Sequence, residues 1–111
     1  MLIATLLLAF AAPSPAADVG TTRAAFTKCL RTDLKKSLDA KKPPADYEAA
    51  IDTVCQTERD AFRKAVIALD RASGDSEADA TEDANMQISD YHDNFVGQFK
   101  DYSESNTMPA D

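Results

Sequence analysis

Apolar side chains recur every fourth residue in the stretch that follows residue 20. The positions that keep this spacing are Phe26, Leu30, Leu34 and Leu38. Such spacing places them on one face of a helix and does not suit a strand. Thr21 or Thr22 can cap the helix by accepting a hydrogen bond from a free backbone N–H, and Pro43 stops it because proline lacks the donor. We therefore predict a first helix over residues 22–40.

A second helix is predicted from a start between Pro44 and Asp46 to Ala72. Proline is tolerated in a first helical turn, and an acidic residue is favoured at the positive end of the helix dipole. The apolar positions that follow helical spacing are Tyr47, Ile51, Val54, Cys55, Phe62, Val66 and Leu69. The Ser73-Gly74 pair marks its end.

A third helix is predicted over residues 81–102. Its apolar positions, again three or four residues apart, are Ala84, Ile88, Tyr91, Phe95, Phe99 and Tyr102. We predict that residues 17–102 form one helical domain and that residues 103–111 form a flexible C-terminal tail.

The first 16 residues have the features of a secretory signal peptide. Residues 2–12 are apolar apart from Thr5, and this run is too short to span a bilayer. Ser14 and Ala16 satisfy the small-x-small rule for cleavage after Ala16, with cleavage after Ala17 as the alternative. A buried N-terminal helix is the competing interpretation. We expect a periplasmic or secreted protein with no stable membrane anchor after cleavage.

Two cysteines in an exported chain indicate a disulfide. Cys29 and Cys55 are equally far from residue 42, the centre of the first interhelical turn, so an antiparallel hairpin places them level. A catalytic redox pair would need the CxxC spacing, which the chain lacks. The predicted fold is therefore all-α: a disulfide-clamped antiparallel helical hairpin with a third helix packed against it.

The net charge of the chain disfavours one class of binding partner. The net charge is −7, which repels a phosphate backbone and disfavours nucleic-acid binding. Residues 75–111 hold ten acidic side chains and one basic side chain, Lys100, so the third helix is strongly anionic. The oligomeric state is left open.

No constellation of residues predicts catalysis, a cofactor or a metal. When the acidic stretch is aligned as an EF-hand loop from Asp75, Ala80 stands where glycine is needed and Met86 where glutamate is needed. His92 is the only histidine, and we interpret it as a titratable group on the surface. We expect no catalytic, cofactor-binding or metal-binding residues and no enzymatic activity, although a small metal-dependent enzyme remains an alternative.

The aromatic residues of the third helix are the candidate binding surface. We call Tyr91, Phe95, Phe99 and Tyr102 the aromatic seam. A seam of this kind usually packs on the protein's own core. The alternative is that part of it is exposed and binds another protein as a helix in a groove.

Short stretches resemble a family of small exported alphaproteobacterial proteins of unknown function. They are Phe26-Thr27-Lys28-Cys29-Leu30, then Cys55 with Glu58-Arg59-Asp60-Ala61-Phe62-Arg63, and Asp83-Ala84-Asn85-Met86 before Asp90-Tyr91. The resemblance implies an exported helical protein with one cysteine pair and carries over no catalytic residue.

From these observations we expect an exported, non-enzymatic helical protein that binds another protein. Since residues 75–111 are so acidic, neutralising their carboxylates at low pH would change the charge of the whole chain. An acid-activated periplasmic chaperone is therefore the alternative. The chain resembles periplasmic acid-stress chaperones, which are small, helical and held by one disulfide, only in its predicted architecture, and no sequence motif supports the link.

Overall fold

The computed structural model describes residues 14–110, which form four helices and no strand. They are α1 (Pro15–Asp39), α2 (Pro44–Ala50), α3 (Gln56–Ala72) and α4 (Glu77–Ser105). The all-α prediction is confirmed. The apolar run at residues 2–12 lies outside the described residues. Within the described part, no helix is both long enough and apolar enough to cross a membrane.

The first helix begins earlier than predicted, at Pro15. The Ser14 side chain accepts a hydrogen bond from the Ala17 backbone N–H at 3.2 Å, and proline at the first helical position has no N–H to leave unsatisfied. Residues 14–17, which include the predicted cleavage site, are exposed, whereas Val19 is buried in the core. Of the described residues, cleavage after Ala16 would therefore remove the Ser14 cap but no core residue.

The prediction of one continuous second helix is wrong, because residues 51–55 interrupt it. Cys55 adopts the left-handed conformation with φ of 58°, which ends regular helical hydrogen bonding. The Arg59 guanidinium donates to the Asp52 carbonyl and so satisfies one of the freed backbone groups. The interrupted stretch also contains β-branched residues, which lower helix propensity.

The last helix is longer than predicted at both ends. The Ser76 side chain caps its start by accepting from the Asp79 N–H at 3.1 Å. Gly74, with φ of 104°, makes the preceding turn in a conformation that other residues rarely adopt. Asn106 ends the helix in the left-handed conformation, so residues 103–105, predicted as tail, are helical.

The disulfide prediction is confirmed: Cys29 and Cys55 are bonded, with their Cα atoms 6.0 Å apart. The bond ties α1 to the start of α3, and the Phe26 and Phe62 rings stack between these helices at 5.9 Å. Helix α4 packs against α3 and also against α2, where Phe99 stacks on Tyr47. Because α3 runs antiparallel to both long neighbours, α1 and α4 run parallel.

Candidate functional site

Half of the aromatic seam belongs to the core. Phe95 and Phe99 are only 5% and 1% exposed, so they are not available to a partner in this conformation. Tyr91 and Tyr102 are partly exposed. The Tyr91 ring meets Phe26 edge-on, with centroids 5.9 Å apart. The seam therefore docks α4 on the rest of the protein and offers only its tyrosines to solvent.

A groove of about 560 Å³ lies between α1 and α4, beside Tyr91. It exists because α1 contacts α4 much less extensively than either helix contacts α3. We call it the α1–α4 groove. Its lining residues are Thr27 and Arg31 of α1, and Gln87, Asp90, Tyr91, Asn94, Phe95 and Gln98 of α4.

The groove combines an aromatic surface with side-chain amides. Gln87 Nε2 donates to an Asp83 carboxylate oxygen at 3.1 Å, and Gln98 Nε2 donates to Asn94 Oδ1. These bonds leave further amide donors and acceptors without partners among residues 14–110. An amide both donates and accepts hydrogen bonds, as a peptide backbone does. The groove can therefore satisfy polar groups on either side of an apolar contact with Tyr91.

The groove continues toward the C-terminal end of the described chain. A second cavity of about 270 Å³ adjoins it and shares Arg31 and Gln98 with it. Pro109 and Ala110 form one wall of this second cavity, opposite α1. Its other lining residues, all on α1, are Lys28, Thr32, Leu34 and Lys35. The α1 wall is therefore basic where the two cavities meet, at Arg31, and along the second cavity.

The interpretation of His92 as a surface group is wrong. Its side chain is 9% exposed, and Nδ1 lies 3.0 Å from Oδ1 of the exposed Asp52. Burial lowers the pKa of His92, while the nearby Asp52 carboxylate opposes this shift. The other nitrogen, Nε2, is buried and has no hydrogen-bond partner among the described residues. Nε2 is therefore shielded, whereas Nδ1 faces the exposed Asp52, and both residues line a cavity of about 590 Å³.

The acidic segment before and within α4 has a structural explanation. Ser76 caps the helix, and carboxylates in a first turn are favoured by the dipole.

A carboxyl pair joins α3 to α4: a hydrogen bond to Asp83 of α4 raises the pKa of Asp70 of α3 to about 6. The one group of potential metal ligands in residues 14–110 is Cys29, Cys55 and Glu58, whose two sulfurs are already joined in the disulfide.

No family model, curated protein sequence or solved structure matches the chain. The resemblance to small exported alphaproteobacterial proteins therefore stays a prediction.

Two features of the site were missed from the sequence, although each left a signal. His92 lies four residues after Ile88 and three before Phe95, which places it on the buried face of α4. Gln87 and Asn94 are seven residues apart and so share a face of the helix. The α1 side of the groove left no such signal, since it depends on how two distant segments pack.

Proposed function

We propose that this is an exported, non-enzymatic protein that binds an extended segment of another polypeptide in the α1–α4 groove. The observation that carries the proposal is the groove itself, with partly exposed Tyr91 between the amides of Gln87 and Asn94. An extended segment has unpaired backbone N–H and C=O groups, which these amides can satisfy.

The charges and the aromatic ring define the partner further. Arg31 lies in the groove, with Lys28 beside it on the same helix. A carboxylate on the partner would complement this basic wall. Tyr91 presents a large, rigid ring at a low cost in conformational entropy. We therefore propose an extended segment that carries an apolar side chain and an acidic one.

The extended conformation of the partner is supported by the chain's own tail. Residues 107–110 contain no helix, and Pro109 and Ala110 lie against α1 in the cavity that continues the groove. The cavity that adjoins the α1–α4 groove therefore already holds a non-helical segment of chain.

Export is the second element of the proposal. The signal-like residues 1–16 support it, and a disulfide persists in an oxidising compartment such as the periplasm or the extracellular space. The acid-activated chaperone and the metal-dependent enzyme remain alternative predictions.

Site-specific photo-crosslinking in cells tests the binding site. A photoreactive residue replaces Asn94 in the groove or, as a control, the exposed Ala68 of α3. We expect one defined partner segment to crosslink at position 94 and not at position 68. Equal crosslinking at both positions, or none at position 94, would contradict the proposal.

Charge reversal provides a matched pair of variants. Arg31→Glu changes an exposed groove residue, whereas Arg71→Glu changes an exposed residue at the end of α3. We expect Arg31→Glu to reduce crosslinking at position 94 at least fivefold and Arg71→Glu to leave it unchanged. If both variants behave like the unaltered protein, the basic wall has no part in binding.

A further inference from the structure

We propose that residues 108–110 act as an internal strap that occupies the cavity adjoining the α1–α4 groove and competes with a partner segment that extends from the groove into this cavity. This inference concerns the regulation of the groove and rests on the function proposed above. The strap is the segment Met108–Pro109–Ala110, which follows the end of α4.

The turn after α4 directs the chain back along the helices. Asn106, with φ of 53°, reverses the backbone direction. The Thr107 N–H then donates to the Tyr102 carbonyl at 3.0 Å, which fixes the turn onto the last helical residues. Residues after Thr107 are thereby aimed toward α1.

The positions along α1 show the path of the strap. Met108 lines a cavity together with Leu38, near the end of α1. Pro109 and Ala110 line the next cavity together with Leu34, about one turn earlier in the helix. The two residue steps from Met108 to Ala110 cover this distance when the segment is extended, with about 3.3 Å per residue.

The end of the strap adjoins the open part of the groove. Arg31 and Gln98 line both the cavity under Pro109 and the groove beside Tyr91. A partner segment that extends beyond Tyr91 in this direction must therefore meet the strap. The two chains compete for the same basic wall of α1.

The strap is held weakly enough to be displaced. Met108 is 46% exposed and Pro109 is partly exposed, so neither is anchored in the core. An open cavity of about 270 Å³ remains between α1 and the residues Pro109 and Ala110. Within residues 14–110, none of the buried core residues lies beyond Phe99, so displacement of the strap leaves this core intact.

The test uses the strap as a separate probe. A fluorescein-labelled peptide of residues 105–111 is titrated with the full mature chain and with a chain that ends at Thr107, and fluorescence anisotropy is recorded. The shortened chain keeps all four helices and the Thr107 hydrogen bond that caps α4. Circular dichroism verifies that it is folded.

We expect the shortened chain to bind the peptide and the full chain to bind it at least tenfold more weakly. A tethered segment has an effective concentration of about 1 mM, so it competes tenfold against a peptide whose Kd is about 100 µM. A peptide with the same residues in reversed order is the control and should bind at least fivefold more weakly to the shortened chain.

Equal binding by the two chains, or no binding by the shortened chain, would overturn the strap. Neither result alters the crosslinking expected at Asn94, which lines the open part of the groove beyond the strap. Conversely, strong peptide binding by the shortened chain, together with no crosslinking at Asn94, would reject the proposed function and the competition with a partner, and would leave only the binding of the tail to its own cavity.

Discussion

The Tyr47 ring of α2 stacks face to face on the Phe99 ring of α4, with centroids 4.1 Å apart and planes 5° apart. This contact depends on the interruption at residues 51–55, which lets α2 pack against α4 while α3 packs against α1. The aromatic seam is therefore held by a helix that the hydrophobic pattern alone would have merged with α3.

Substitution of Tyr47 separates the contribution of its ring from that of its hydroxyl. The hydroxyl is buried and has no hydrogen-bond partner within residues 14–110, and burial raises the pKa of Tyr47. We expect Tyr47→Phe to leave the free energy of unfolding unchanged or to raise it, because an unsatisfied polar group is removed. Tyr47→Ala should lower it by about 3–5 kcal/mol.

Urea denaturation of the two Tyr47 variants and the unaltered protein measures both effects. A loss of more than about 1 kcal/mol in Tyr47→Phe would mean that the hydroxyl makes a stabilising bond.

The disulfide should contribute a large share of the stability. Cys29 and Cys55 are separated by 26 positions, and closing a loop of this length stabilises a fold by about 3.5 kcal/mol in the chain-entropy model. We expect the Cys29→Ser/Cys55→Ser variant to melt at least about 10 °C lower, as calorimetry would show. Two free thiols in protein purified from an oxidising compartment would contradict the role of the bond.

The Asp70–Asp83 pair should make the junction of α3 and α4 more stable in mild acid. The pKa of Asp70 is raised from 3.8 to about 6 by the hydrogen bond to Asp83 and by burial. Between these values the folded state binds a proton that the unfolded state does not, so this contribution is lost as pH rises through 6. We expect Asp70→Asn to remove it.

Unfolding measurements from pH 4 to 7.5 test the carboxyl pair. The difference in stability between Asp70→Asn and the unaltered protein should change across pH 6. Exposed Asp60, at the start of α3, provides the control Asp60→Asn. A difference that is constant with pH for Asp70→Asn would show that no proton is shared.

His92 should titrate below its ordinary pKa of 6.5 because burial disfavours its charged form. Its contribution to stability is accordingly present above pH 6.5 and lost as pH falls through the folded-state pKa. As the only histidine, it gives a single set of imidazole signals in an NMR titration. We expect Asp52→Asn to lower the pKa further, whereas a pKa of 6.5 or above in the unaltered protein would contradict the burial.

Features set by local sequence were predictable, whereas features set by tertiary packing were not. The helical face that includes Phe26 and Leu34 was predictable because local periodicity decides it, and Cys29 and Cys55 paired because the hairpin makes them level. The break at Cys55 was not predictable, since helical spacing continues through it. The break is accompanied by the packing of α2 on α4 and by the disulfide to α1. Both are tertiary contacts, which local hydrophobic spacing does not report.

The groove was unpredictable for the same reason. Only one of its walls, that of α4, lies within the predicted seam region, and the opposing Thr27 and Arg31 come from a helix more than 50 residues earlier. The sequence identified Tyr91 as a candidate binding residue, but the burial of Phe95 and Phe99 depends on the packing of α4.

Side-chain amide NMR tests most directly whether the α1–α4 groove binds extended polypeptide. Nitrogen-15-labelled protein is titrated with a reduced, carboxymethylated protein that stays unfolded and carries added carboxylates. Gln87, Asn94 and Gln98 report on the groove, while Gln56 and Asn85 do not line it. We predict shifts of the three groove amides with the other two unchanged; no shift, or equal shifts at all five, would contradict the account.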